Sequence, residues 1–97
     1  MKIEFIKSPS PGTMAILARR MANGTLCEHP PGAVGLVQGQ LAEMLMAADI
    51  AEKAAQVAVE EVRGICPQHI TMIAVFGDIA AVEAALKAIQ QHFNCGP

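Results

Sequence analysis

The hydrophobic pattern changes period several times along the chain, and each change marks an element. Over residues 2–7, Ile3 and Phe5 alternate with Glu4 and Lys7, which predicts a short strand with Ile6 as the exception. Ser8-Pro9-Ser10-Pro11 stops it, with Ser10 placed as a helix N-cap and Pro11 at the first helical position, where its missing N–H costs nothing. Met14, Leu17, Ala18 and Met21 form a helical stripe that Asn23-Gly24 is expected to end. Thr25 to Gly32 reads as a connector stiffened by Pro30-Pro31, and Ala33 to Val37 as a strand apolar enough to be buried on both faces. A helix is expected from about Gln40 to Gln56, with Leu41, Met44, Leu45, Ala48, Ala51 and Ala55 on its apolar side.

Val57 to Val62 reads as a third strand and Ile70 to Phe76 as a fourth. Gly77 breaks the fourth, and Asp78 caps a last helix carrying Ile79, Val82, Leu86, Ile89 and Phe93, with Glu83 and Lys87 as an i,i+4 pair on the other side. The predicted order is β-α-β-α-β-β-α. Moving the first strand and helix to the end gives β-α-β-β-α-β-α, a circularly permuted ferredoxin-like unit with one extra helix. The fold class is α+β, an α/β sandwich with an antiparallel sheet, and 97 residues suit one domain spanning 1–97.

Composition adds an assembly state. A chain this short buries only about 60–65% of the surface its unfolded form exposes, yet 53% of it is hydrophobic and the mean hydropathy is +0.37. The apolar excess points to a subunit interface and an obligate oligomer. The net charge of −2, the lack of a basic stripe and the absence of Trp and Tyr argue against nucleic-acid binding. Charges interrupt the N-terminal run, so it does not read as a signal peptide, and no segment reaches the roughly 18 apolar residues of a membrane span; a cytosolic protein is expected. Three cysteines, Cys27, Cys66 and Cys95, without a CxxC, read as free thiols or ligands rather than disulfides.

Two stretches carry a family resemblance. Ala47-Ala48-Asp49-Ile50-Ala51-Glu52-Lys53-Ala54-Ala55 resembles the first helix of the bacterial microcompartment (BMC) shell domain. Phe76-Gly77-Asp78-Ile79-Ala80-Ala81-Val82-Glu83-Ala84-Ala85 resembles its third strand and second helix. The resemblance covers about residues 33–93, while residues 1–24 resemble the usual C-terminal strand and helix moved to the front. The extra N-terminal hairpin of the best-known permuted type is missing. The permuted order and the Cys-Pro tip are most similar to the shell proteins of glycyl-radical propanediol microcompartments. That resemblance implies a tiling homohexamer, in a cytoplasmic microcompartment shell around encapsulated enzymes, with an iron–sulfur cluster in its central pore. It also implies that the hairpin Arg63 to His69, with its tip Gly64, Ile65, Cys66, Pro67, Gln68 and His69, lines that pore. Lys53 matches the lysine at the edge where hexamers tile.

The cluster chemistry depends on copy number. An iron–sulfur cluster wants four soft thiolates, and one chain offers one pore thiol, Cys66. Six copies remove the shortage and leave a symmetry mismatch, because a [4Fe–4S] cubane takes at most four ligands from a six-fold ring. Gly64 lets the turn adopt unusual dihedrals and Pro67 stiffens the chain beyond the ligand. His69 is placed to ligate, to hydrogen-bond a sulfur, or simply to begin a strand.

Other readings stand beside this one. Without metal, Cys66 merely lines a metabolite pore. In a small ferredoxin-like regulatory module, Cys27, His29, Cys66 and His69 would form a Cys₂His₂ zinc site, although their spacings fit no usual finger. His92 and Cys95 are a further Cys/His neighbour pair, with Cys95 expected to be a tail residue without a role. The methionines, Met14, Met21, Met44, Met46 and Met72 among them, read as core and interface filler, and Glu60, Glu61 and Arg63 as a solvated strand end. No paired-carboxylate, Ser-His-Asp or phosphate-cradling motif is present, so no enzyme is expected.

Overall fold

A computed structural model describes residues 1–21, 30–63 and 70–94. Its elements are β1 (Lys2–Lys7), α1 (Pro11–Arg19), β2 (Ala33–Gln40), α2 (Leu41–Ala54), β3 (Ala58–Val62), β4 (Ile70–Gly77) and α3 (Ile79–Asn94). The four strands form one antiparallel sheet in the order β1-β2-β4-β3. This is the predicted α+β order, with the first strand pairing beside β2.

The sheet is covered on both faces, which explains why its strands do not alternate cleanly. Val37, Ile73 and Val75 face α2 and α3, where they pack with Met44, Ala47, Ala51, Val82, Ala85, Leu86 and Ile89. Val34, Val62, Ala74 and Phe76 face the other way, onto Met14, Leu17 and Met21. Ile6, the exception to the β1 pattern, is half-buried like Ile3 and Phe5. Alanines at 47, 51 and 85, each fully buried, keep α2 and α3 close to the sheet.

The helix starts follow the expected chemistry. The Ser10 hydroxyl accepts from the Thr13 N–H at 3.2 Å, and Pro11 opens α1. The Asp78 carboxylate accepts from the Ala81 N–H at 2.7 Å ahead of α3. Strand β2 runs on to Gln40 and passes into α2 without a loop, and the Gln40 N–H donates to the Glu43 carboxylate at 3.2 Å.

Three expectations are corrected. First, α1 stops at Arg19 rather than at Asn23-Gly24, which lie outside the described residues. Met21 instead forms an antiparallel bridge with Val62, and the Arg63 N–H donates to the Arg20 carbonyl at 2.8 Å, so this backbone joins β3 and does not continue the helix.

Second, α2 is turned about its axis relative to the expected stripe. Met44, Ala47 and Ala51 are buried, whereas Leu41 and Leu45 are 50% and 66% exposed, together with Met46. Leu41 and Leu45 lie roughly 60–100° around the helix from Met44, and the smaller alanine stripe takes the close approach to the sheet.

Third, Glu83 and Lys87 do not pair. The ion pair among the described residues is Lys53 with Asp49.

Beyond these elements, Met1, Ile3, Glu43, Gln90, Phe93 and Asn94 line a shallow hollow where β1, α2 and the end of α3 meet. Among the described residues no helix is long and apolar enough to cross a membrane.

Among the glycines of the described residues, the tightest approach is at Gly35. A Cβ there would lie 2.8 Å from Leu86 Cδ2 and 3.1 Å from its Cγ, and Leu86 is itself buried. We therefore expect Gly35→Ala to destabilise the protein by about 1–3 kcal/mol through overpacking. Leu86→Ala alone should cost about 2–5 kcal/mol through the cavity it leaves. The double variant should lose less than the sum of the two, because the new methyl enters space vacated by Leu86. Denaturant unfolding of the three variants checks this; strict additivity would contradict the contact.

Candidate functional site: the hairpin stem and the helix edge

The hairpin stem is built from both sides. On one side β3 pairs with β4 from Ala58 opposite Phe76 to Val62 opposite Met72. Near its end the Thr71 hydroxyl donates to the Glu61 carboxylate at 3.1 Å, tying the two strands through their side chains. On the other side the end of α1 is bonded to the same stem through Met21, Arg20 and Arg63. The connection from Arg63 to Ile70 is thus held at both roots. Its tip, Gly64, Ile65, Cys66, Pro67, Gln68 and His69, lies outside the described residues, as do Cys27, His29 and Cys95. The proposed cluster and zinc ligands therefore receive no geometry here. Among the described residues no three His, Cys, Asp or Glu side chains come together in a metal-holding group.

The second predicted site residue, Lys53, sits in the last turn of α2, and its ammonium lies 2.8 Å from the Asp49 carboxylate. Both side chains are exposed, at 76% and 53%. The hydrogen bond to Asp49, with its charge adding to it, holds the Lys53 ammonium above its ordinary pKa of 10.5. Asp49 was legible as part of a family-like stretch but not as this partner, although the i,i+4 spacing was the available signal.

The two sites occupy opposite ends of the subunit. Gln40 pairs with Ile70 at the hairpin end of the sheet, and α2 begins there. Fourteen residues later α2 delivers the chain to β3, whose Ala58 pairs with Phe76 at the far end. At 1.5 Å per residue this separates Lys53 from the hairpin root by roughly 20 Å. The end of α1 beside the stem was missed from sequence, because the periodicity of residues 14–21 continues smoothly through the point where the helix stops.

The described residues form a four-stranded sheet with the root of the β3–β4 connection at one end and an exposed ion pair at the other. The BMC domain profile matches residues 33–96, that is, β2 through α3, and leaves β1 and α1 outside it. The chain belongs to the BMC-domain family of microcompartment shell proteins. It is similar to the GrpU microcompartment shell protein from Clostridiales bacterium 1_7_47FAA, at 40% identity and a TM-score of 0.75 over 97% of this chain and 93% of that one. It is also similar to the GrpU microcompartment shell protein from Pectobacterium wasabiae, at 37% identity and a TM-score of 0.71 over 92% of this chain and 99% of that one. The fused permuted hexameric shell protein MSM0275 of the RMM microcompartment shares the fold, at 20% identity and a TM-score of 0.75 over 96% of this chain and 45% of that one. That match extends across β1 and α1, as a permuted order requires. No curated protein matches the chain.

The ion pair yields a pH test with a definite sign. Because the folded-state pKa of Lys53 is raised above 10.5, whatever the pair contributes is present below that ordinary value and fades as the pH rises through the raised one. Following the Lys53 side-chain resonance by NMR should place its titration above 10.5, and Asp49→Asn should bring it back toward 10.5. An unchanged titration in Asp49→Asn would show that the two side chains do not interact in solution.

Proposed function

We propose that the chain forms a homohexamer that tiles with neighbouring shell-protein hexamers into a microcompartment shell, with the Arg63–His69 hairpins around the central pore. The observation that carries this reading is the placement of the hairpin stem and Lys53 at opposite ends of one subunit. A subunit in a flat ring needs that polarity, with one end for the axis and the other for the rim. Exposed Leu41, Leu45 and Met46 on α2, with Ile16 on α1, support an assembled state, since a monomer leaves them in water. Kinship with the GrpU shell proteins supports the shell role.

Within the pore, Cys66 from several subunits binds an iron–sulfur cluster of the [4Fe–4S] type, which moves electrons or cluster units across the shell. The donor set supports this only in the hexamer: one thiolate per chain is too few, and six exceed the four that a cubane takes. Gly64, Ile65, Pro67, Gln68 and His69 shape the site around the ligand. The enclosed enzymes, a glycyl-radical system among the candidates, are the users of the cluster. The function is structural and conductive rather than catalytic.

Anaerobic purification with iron and sulfide analysis tests the cluster. Wild-type protein should be brown, with visible charge-transfer absorption and close to four irons per hexamer, and Cys66→Ser should be colourless at the same solution mass. Equal iron in both, or a colourless reconstituted wild type, leaves a metal-free metabolite pore as the function. A trimer with tightly bound zinc would instead overturn the shell reading. Tiling is tested separately. Lys53→Glu should abolish extended sheets in electron micrographs while leaving the hexamer mass unchanged, and sheets persisting in that variant would remove Lys53 from the rim contact.

A further inference from the structure

Two of the chain's seven basic residues, Arg20 and Arg63, are joined by their backbones at the hairpin root, with Arg19 next in sequence, although the chain as a whole carries a net charge of −2. Arg19 closes the last turn of α1 and Arg20 is its C-cap. The Arg63 N–H donates to the Arg20 carbonyl at 2.8 Å, next to the Met21–Val62 bridge. All three arginines are exposed. Cations on directly bonded neighbouring backbones repel one another, so this juxtaposition is unfavourable unless something negative sits between them.

Among the described residues, the nearby carboxylates do not fill that role. Glu61, two residues before Arg63, accepts from the Thr71 hydroxyl. Neither it nor the half-buried Glu60 is within ion-pair distance of these arginines, the ion pair among the described residues being Lys53–Asp49. Guanidinium groups present planar forks of N–H donors that match the two oxygens of a carboxylate or the oxygens of a phosphate, and they keep their charge at any working pH. A lysine cluster would be a set of point charges, whereas each guanidinium brings its own planar fork of donors.

We propose that Arg20 and Arg63, assisted by Arg19, bind a small oxyanion, a phosphate or a carboxylate, at the root of the hairpin. The site uses only these three residues and depends on neither Cys66 nor metal. In a hexamer it is repeated six times.

Calorimetric titration of the wild-type oligomer at low salt, with inorganic pyrophosphate in one arm and citrate in the other, tests this. Saturable binding of at least one of the two is expected, weakening as salt is added. The arm that binds more tightly identifies phosphate or carboxylate as the preferred group. Arg20→Gln and Arg63→Gln should each weaken binding roughly tenfold or more, and Arg63→Lys should fall between wild type and Arg63→Gln. Lys87→Gln, a charge removed from α3, should bind as wild type does, and so should Cys66→Ser, which separates this site from the cluster. Solution mass and circular dichroism of each variant establish that it is folded and assembled. No saturable binding to wild type, or wild-type affinity retained in both Arg20→Gln and Arg63→Gln, overturns the proposal. So does loss of the assembly in those variants without any wild-type anion binding, which would assign the arginines to an acidic side chain of a second copy.

Discussion

Eight residue pairs join β2 to β4, from Ala33 opposite Gly77 to Gln40 opposite Ile70, and most of the structure depends on their register. In that register Val37 and Ile73 lie together under α2 and α3, while Val34 and Phe76 lie together under α1. A shift of one residue exchanges the two faces of a strand. Here it would present side chains shaped for one helix layer to the other. Both layers are apolar, so burial alone would not forbid the slip. What resists it is shape: Gly35 sits under Leu86, and a residue with a Cβ brought to that place would collide with it.

The same register sets the functional polarity. Because Gln40 stands opposite Ile70, the start of α2 and the root of the hairpin share one end of the sheet. The direct passage from β2 into α2 leaves no slack, so the helix carries Lys53 to the other end as a matter of length. The root of the β3–β4 connection and Lys53 are thus held apart by a helix rather than by a loop. Shell proteins need such rigidity, since an error in one subunit's shape is repeated around the ring.

Most of the fold was legible in the sequence because its signals are local. Ser10-Pro11 and Asp78 cap the helices they were expected to cap, and the 82-86-89 stripe of α3 is buried. The misreadings share a physical cause. Residues 14–21 hold a helical pattern past Arg19, and only contact with a distant strand ends the helix. On α2, two apolar stripes lie side by side. The choice of the alanine stripe over Leu41 and Leu45 is made by how closely the helix must approach the sheet, which no single-helix pattern contains. For the site, Lys53 and the hairpin were marked by the family-like stretches around them. The Arg20–Arg63 contact was hidden because it joins positions more than forty residues apart, with no motif at either.

The hollow shared by Met1 and Asn94 has a topological consequence. Met1, just ahead of β1, and Phe93 and Asn94 in the last turn of α3 line this one hollow, so the start of β1 and the end of α3 lie near one small region of the surface. Bridging that region with a linker and opening the chain ahead of β2 would restore the order β-α-β-β-α-β-α without moving an element.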